Sequence, residues 1–290
     1  MRIGTRGSAL ALAQARAVAA ALGGAELVEI TTAGDRGERL QDKSRWTSAL
    51  ERALLDGQID LAVHSAKDVP GELADGLALA AIPARADPRD ALCGAASLQV
   101  LPAGARVGTS SLRRIAQLLA LRPDLKLVPL RGNVDTRLGR LARRELDAVV
   151  LAMAGLERLD RAAEAGAVLD QLVPAPGQGA LALEARADDE RVLARARSLS
   201  DVPSEMCVAA ERALARALGA SCNSALGAYA QPAGATGQPK RLGHVLLTAW
   251  VGAPDGSAWV RDRLVGPPSE VGAALAERML AAGAGELLAR

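Results

Sequence analysis

Short apolar strands alternate with helical runs from residue 1 to about residue 180, and this alternation constrains the fold more than any other feature of the chain. Apolar segments at 27–31, 59–63, 77–82, 91–93, 106–108, 127–130 and 148–151 predict strands. Helical spacing predicts helices over 8–22, 48–55, 112–121 and 134–144, with a short one near 155–160. Strands separated by helices build βαβ units, so mainly parallel sheets are expected. Proline-bearing segments at 82–88 and 173–176 punctuate the pattern, and after the second of these residues 179–184 read as a strand with no parallel neighbour in sequence. This fits a first domain interrupted by a second and joined to it by two crossovers. From residue 203 the pattern changes. A long helix over 204–218, strands at 226–230, 241–251 and 258–265, a hairpin turn at 252–256 and a helix over 269–282 predict a small α+β domain. No internal repeat is evident in the sequence.

The arginines stand at particular places in this pattern. Arg113, Arg114, Arg131 and Arg137 lie at the junctions between short strands and the helices after them, in GARVGTSSLRR and LKLVPLRGNVDTR. Ligands of open α/β sheets gather at the carboxyl ends of strands, where backbone N–H groups and helix dipoles favour anions. Arginine adds a planar fork that holds a carboxylate by two hydrogen bonds. Solvated helix arginines making surface pairs are the alternative for any one of them. Their shared placement predicts a ligand with several negative charges.

Composition excludes other classes. The formal net charge of the 290 residues is +2, too small for a nucleic-acid surface, and no block of lysine and arginine occurs. With no phenylalanine and one tyrosine, the chain lacks the aromatics that stack on bases. The apolar run at the amino terminus is broken by Gln14 and Arg16, and no segment approaches the roughly 18 apolar residues of a membrane span. Cys93, Cys207 and Cys222 have no metal-ligand spacing, which predicts no metal and a reducing, cytoplasmic location. On residues alone, Cys93 and Cys207 read as small hydrophobes. Cys222 stands in a loop that favours a reactive thiol, although a purely structural role stays open for it.

A second polar cluster, His64-Ser65-Ala66-Lys67-Asp68, ends a buried-type strand that Pro70 stops. Such a cluster at the carboxyl end of a strand suits a site. His64-Ser65 also suggests nucleophilic catalysis, but no second histidine is near; His244 reads as structural within a strand. Lys67 and Asp68 alone are also open to a simple ion pair.

Taken in order, RIGTRGSALALAQA, DLAVHSAKDVP, DPRDAL, VGTSSLRR, LRGNVDTR, LAMAGLERL and PAPGQGAL resemble the porphobilinogen deaminase (hydroxymethylbilane synthase) family, and Cys222 follows the long helix where that family has a loop cysteine. The resemblance covers essentially the whole chain. It implies an α/β fold of two type II periplasmic-binding-protein-like domains joined by two crossovers, plus a small C-terminal α+β domain. The expected boundaries are 1–84 with 178–200, then 85–177, then 203–290. It implies a cytoplasmic, monomeric transferase of tetrapyrrole (porphyrin and haem) biosynthesis. This enzyme condenses four porphobilinogen molecules head to tail, with loss of ammonia, on a covalent dipyrromethane cofactor to give hydroxymethylbilane. No nucleic-acid or membrane partner is expected.

The resemblance also assigns residues. Asp68 matches the catalytic aspartate, expected to stabilise the cation left when ammonia departs and to shuttle protons. Cys222 matches the thioether attachment point. Ser65, Lys67, Thr109, Ser111, Arg113, Arg114, Arg131, Gly132, Arg137 and Gly155 match cofactor-binding positions. Arg6, Ser8, Arg158 and Gln178 match substrate-binding ones. Lys43 and Trp46 stand where the family has a lysine and a phenylalanine on a lid. Here the 34–48 segment is shorter than usual, and Trp46 is the candidate to replace the phenylalanine as a stacking or packing group. Ala220 and Ser221 replace usual glycines beside Cys222, and Ala225 a common proline. A non-catalytic anion-binding module and an inactive homologue are the competing readings. The first predicts no covalent adduct, and intact Asp68 and Cys222 speak against the second.

Overall fold

The computed structural model describes residues 1–34, 44–220, 224–234 and 241–289, without the side chains of residues 44 and 45. The chain begins β1 (Arg2–Thr5), α1 (Ala9–Ala21), β2 (Glu26–Glu29), α2 (Ser44–Leu55), β3 (Leu61–Ser65) and β4 (Leu77–Ala81). It continues β5 (Asp90–Cys93), β6 (Arg106–Gly108), α3 (Leu112–Leu121), β7 (Lys126–Val128), α4 (Val134–Ala142), β8 (Ala148–Ala152), α5 (Met153–Glu157) and β9 (Ala167–Leu169). Then come β10 (Leu181–Arg186), α6 (Glu190–Arg197), α7 (Val202–Ala217), β11 (Leu226–Pro232), β12 (Val245–Gly252), β13 (Trp259–Gly266), α8 (Val271–Ala281) and α9 (Ala284–Leu288).

Two five-stranded sheets repeat one plan. The first has the order β2-β1-β3-β10-β4 and the second β7-β6-β8-β5-β9. In each, the fourth strand in the row enters from the other half of the molecule and runs antiparallel to its neighbours. This strand exchange is the two-crossover α/β architecture expected from the sequence. It corrects one detail, because β5 and β10 make both sheets mixed where mainly parallel sheets were expected. The repeat has no counterpart in sequence because it resides in strand order, not in matched residues.

Burial explains the strands. Leu61, Leu183 and Ala185 are wholly buried between the first sheet and its helices α1 and α6, with Ile3 and Val192. Val107, Leu118, Ala148 and Val150 do the same for the second sheet. Strands covered on both faces read as continuous apolar runs. The third unit packs α7, α8 and α9 on the sheet β11-β12-β13, through Leu214, Leu247, Val251, Leu275 and Met279.

Element ends moved where apolarity alone marked them. The second strand is Glu26–Glu29, not 27–31; the seventh is Lys126–Val128, not 127–130; and α2 begins at Ser44 instead of 48. The strand Ala167–Leu169 and the helix Ala284–Leu288 are too short for a period to show, and the helix Glu190–Arg197, though amphipathic, is short and mostly polar, so none of the three was expected. His244 precedes β12 instead of lying within it, and its Nδ1 meets the carbonyl of Leu242 at 3.2 Å.

Candidate functional site

The site grows from the carboxyl end of β3. The strand is covered on both faces, so His64 is buried like its neighbours, and its Nε2 meets Glu184 of β10 at 3.0 Å with both side chains almost wholly buried. That pairing removes His64 from any nucleophilic arrangement with Ser65, whose hydroxyl instead accepts from Gln14 Nε2 at 3.0 Å. A single 3₁₀ turn, Ala66–Asp68, then lifts Lys67 and Asp68 to the sheet edge, both half-buried. Among the described residues they form no ion pair with each other. The turn rests on the 174–179 segment: a Cβ at Gly177 (φ +75°) would lie 2.9 Å from the carbonyl carbon of Ala66 and from Lys67 N. Only glycine allows that approach.

Gln178 follows, 1% exposed, and joins the two halves of the molecule. Its Oε1 accepts from Lys67 Nζ at 3.5 Å, and its Nε2 donates to Asp90 at 2.9 Å and to the Pro88 carbonyl at 2.7 Å. Asp90, wholly buried at the start of β5, is the anion that Arg113 and Arg114 hold. Arg113 donates to it at 2.8 and 3.2 Å, and Arg114 at 2.8 and 3.0 Å. Their remaining donors reach the carbonyls of Val173 and Val150, which leaves Arg113 Nε buried without a partner. Burial opposes ionisation of Asp90, yet the two guanidinium charges hold its carboxyl well below the usual range.

The other cations are placed differently. Arg131 and Arg137 flank Gly132 beyond β7, and neither is ion-paired among the described residues; Arg137 Nε donates to the Gly132 carbonyl at 2.8 Å. Burial pushes Arg137 down to about 10, helped by the charge of Arg114 and opposed by that of Asp68. Burial likewise pushes Lys67 down to about 8, with Asp68 and Asp90 opposing and Arg114 and Arg113 assisting. Asp68 therefore acts electrostatically on one cation from each half of the molecule. Arg158 donates to the Gly179 carbonyl at 2.7 Å.

Ser8 caps α1 by accepting from Ala11 N, and Leu10 of that helix approaches Gly155 of α5. Thr109 accepts from Ser111 N at 3.3 Å, and Ser111 begins α3 without a side-chain cap bond. The Arg6 guanidinium stacks over the Trp46 ring, 4.0 Å from its centroid. Lys43 and Cys222 lie outside the described residues. Cys93 and Cys207 are buried thiols that burial pushes up to about 11 and about 12, so neither is poised to react.

One cluster escaped the sequence reading. Arg85, on the first crossover, donates to Glu211 of α7 at 2.6 and 3.2 Å and to the Gln178 carbonyl at 2.8 Å. Glu211 is wholly buried and also accepts from Gly177 N at 2.7 Å and Ala230 N at 2.8 Å. Its signal was an acid on the apolar stripe Cys207, Glu211, Leu214, Leu218, where a charge requires a buried partner.

The arrangement fits a polyanionic pyrrole cofactor. Each pyrrole of a dipyrromethane carries an acetate and a propionate; Lys67 and Arg137 both feel the charges of Asp68 and Arg114, and Lys67, Arg131, Arg137 and Arg158 have no carboxylate in ion-pair range among the described residues. Arg113 adds an unpartnered buried N–H. Among those residues no cluster suits a metal, and no helix is long and apolar enough to cross a membrane.

Residues 1–194 match the family model described as "porphobilinogen deaminase, dipyromethane cofactor binding domain", and residues 205–281 match its C-terminal domain. The porphobilinogen deaminase of Brevibacillus brevis is 43% identical over 99% of this chain and 96% of its own length. That of Rubrobacter xylanophilus is 48% identical over 99% and 95%. A nutrient binding protein from Burkholderia cenocepacia bound to methionine overlays with a TM-score of 0.43 at 15% identity, covering 70% of this chain and 92% of that one. With both of its family models matched and relatives this similar along nearly its full length, the chain belongs to the porphobilinogen deaminase family.

Proposed function

We propose that this chain condenses four porphobilinogen molecules head to tail, with loss of one ammonia at each addition, to give the linear tetrapyrrole hydroxymethylbilane. The observation that carries this reading is Asp68 on the turn at the carboxyl end of β3, beside Lys67, which Gln178 links to the Asp90–Arg113–Arg114 cluster of the other half. The bound dipyrromethane, held through Cys222, supplies the free pyrrole carbon from which the chain grows.

Lys67, Arg131 and Arg137 hold carboxylates of the growing chain, with Thr109, Ser111, Ser65 and the backbone of Gly132 and Gly155 beside them. Arg6, Ser8, Arg158 and Gln178 receive the incoming porphobilinogen. Asp68 faces the positive charge that develops as ammonia leaves the aminomethyl carbon, and takes or returns a proton at its carboxylate. Arg113 and Arg114 act with Asp90 as a fixed cationic floor whose net charge is positive. We read 1–84 with 178–200, 85–177 and 203–290 as the domains. We read the enzyme as a monomer, and the buried thiols Cys93 and Cys207 suit a reducing cytoplasm.

The test is an intact mass. Freshly purified protein should exceed its sequence mass by two linked pyrrole units and colour with an aldehyde reagent for pyrroles. Cys222→Ser should lose both signals, while Cys93→Ser and Cys207→Ser keep them. A bare mass that does not grow on incubation with porphobilinogen would leave only the anion-binding-module reading.

A further inference from the structure

Three segments distant in sequence meet at Trp46. The residue lies in the first turn of α2, half-buried, with Arg6 beyond the end of β1 stacked over its ring. Gly34, in the turn after β2, packs against the six-membered ring of the indole. A Cβ built on Gly34 would fall 2.1, 2.2 and 2.7 Å from Cζ3, Cε3 and Cδ2 of Trp46, so any side chain there would displace the ring. The six-membered half of the indole thus has a seat that only glycine leaves open.

Stacking engages the flat face of a guanidinium and leaves the plane of its N–H donors to other partners. The same group can therefore lie on an aromatic ring and hold a carboxylate edge-on. Tryptophan has the strongest ring quadrupole for this purpose, and a phenylalanine at the same position would be both a weaker platform and too short to fill the Gly34 seat. We propose that Trp46 is a positioning residue for Arg6: seated on Gly34, its indole holds the guanidinium where it meets a carboxylate of the incoming porphobilinogen. This rests on the assignment of Arg6 to substrate binding above. It differs from a role for Trp46 as a surface on which a pyrrole ring stacks.

The experiment uses purified holoenzyme with arginine labelled by ¹⁵N, together with steady-state kinetics for wild type, Trp46→Leu, Trp46→Phe, Gly34→Ala, Arg6→Lys and Arg6→Lys/Trp46→Leu. The Nε–H resonance lost in Arg6→Lys identifies Arg6. In wild type it should be shifted upfield by the ring current, and Trp46→Leu and Gly34→Ala should both abolish that shift. Loss of the stack should raise KM for porphobilinogen about three- to tenfold with little change in kcat, a contact of this kind being modest outside a fully dry site. Trp46→Phe should fall between. In the Arg6→Lys background, Trp46→Leu should add little further increase.

A full additional increase in KM there would show that Trp46 touches substrate by itself and would overturn the proposal. So would an Arg6 resonance without ring-current shift. If the shift is present but Arg6→Lys leaves KM unchanged, the substrate-binding assignment of Arg6 fails and the proposal falls with it, though the stack stands. Gly34→Ala separates these results from a folding defect, because it keeps the indole and alters only its seat.

Discussion

Replacing Glu211 by Gln tests whether one buried carboxylate holds the two crossovers and the third unit together. Both oxygens of Glu211 only accept: one takes Arg85 and Ala230 N, the other Arg85 and Gly177 N. A glutamine must turn its NH₂ toward one of those backbone N–H groups, at 2.7 or 2.8 Å in the wild type, placing donor against donor. It also leaves the Arg85 guanidinium, whose side chain is 9% exposed, without its counter-ion. Breaking a buried pair in this way costs about 3–5 kcal/mol. We expect Glu211→Gln to lower unfolding free energy by that amount in urea titrations followed by tryptophan fluorescence. Trp250, packed against Ala116 of α3, reports the junction between the third unit and the second sheet. Arg85→Met/Glu211→Met, which removes both charges, should be less damaging than the two single changes combined, with a coupling of roughly 2 kcal/mol or more. A Glu211→Gln protein within about 1 kcal/mol of wild type would refute the reasoning, since four bonds to a wholly buried acid could not then be stabilising the junction.

Asp68→Asn should fold normally and lose about 10²–10³ in the rate of ammonia release, measured in single turnovers, because one preorganised charge is gone; near-normal release would assign the chemistry elsewhere. Lys67, pushed down to about 8, loses its proton as pH rises through that value, so KM for porphobilinogen should climb above pH 8, and Lys67→Arg should flatten the climb because arginine stays charged. For the free protein the sign is opposite. A depressed lysine pKa penalises the fold below about 8, and that penalty fades as pH rises toward 10.5, which a urea titration series would show. Arg131→Leu or Arg137→Leu should leave a folded protein whose ladder of enzyme-bound masses stops early, each lost charge-assisted contact being worth roughly 1.5–3 kcal/mol. A wild-type ladder would make these arginines solvated surface groups.

The strands and the carboxyl-end placement of the polar clusters were legible because burial on both faces writes continuous apolar runs, and Pro70 marks where β3 must stop. The two crossovers were legible for a related reason: two proline segments punctuate the chain, and the second is followed by a strand that has no partner nearby in sequence. What stayed hidden depends on partners distant in the chain. Nothing local tells that β10 inserts between β3 and β4, or that His64 is consumed by Glu184 across 120 positions. Arg85 and Glu211 escaped for the same reason, being 126 positions apart.

The arginines show this limit most clearly. In sequence, Arg113, Arg114, Arg131 and Arg137 form one group, all at strand-to-helix turns. In the fold they divide by a single residue, Asp90, which lies at the start of a strand contributed through the first crossover. Arg113 and Arg114 spend their forks on it and on the carbonyls of Val173 and Val150, so they are fixed before any ligand arrives. Arg131 and Arg137 meet no carboxylate among the described residues. A site built to hold a polyanion of changing length needs both kinds. Fixed charges set a constant potential without reorganising, and uncommitted forks engage whichever carboxylates are present at each stage. One carboxylate shared by two guanidinium groups leaves the buried cluster with a net positive charge, and Lys67 reports it, since both arginines help to depress its pKa. An incoming anion offsets that repulsion and keeps Lys67 charged to higher pH. The cationic floor therefore favours anion binding over an empty site, beyond whatever the unpartnered Nε–H of Arg113 contributes directly.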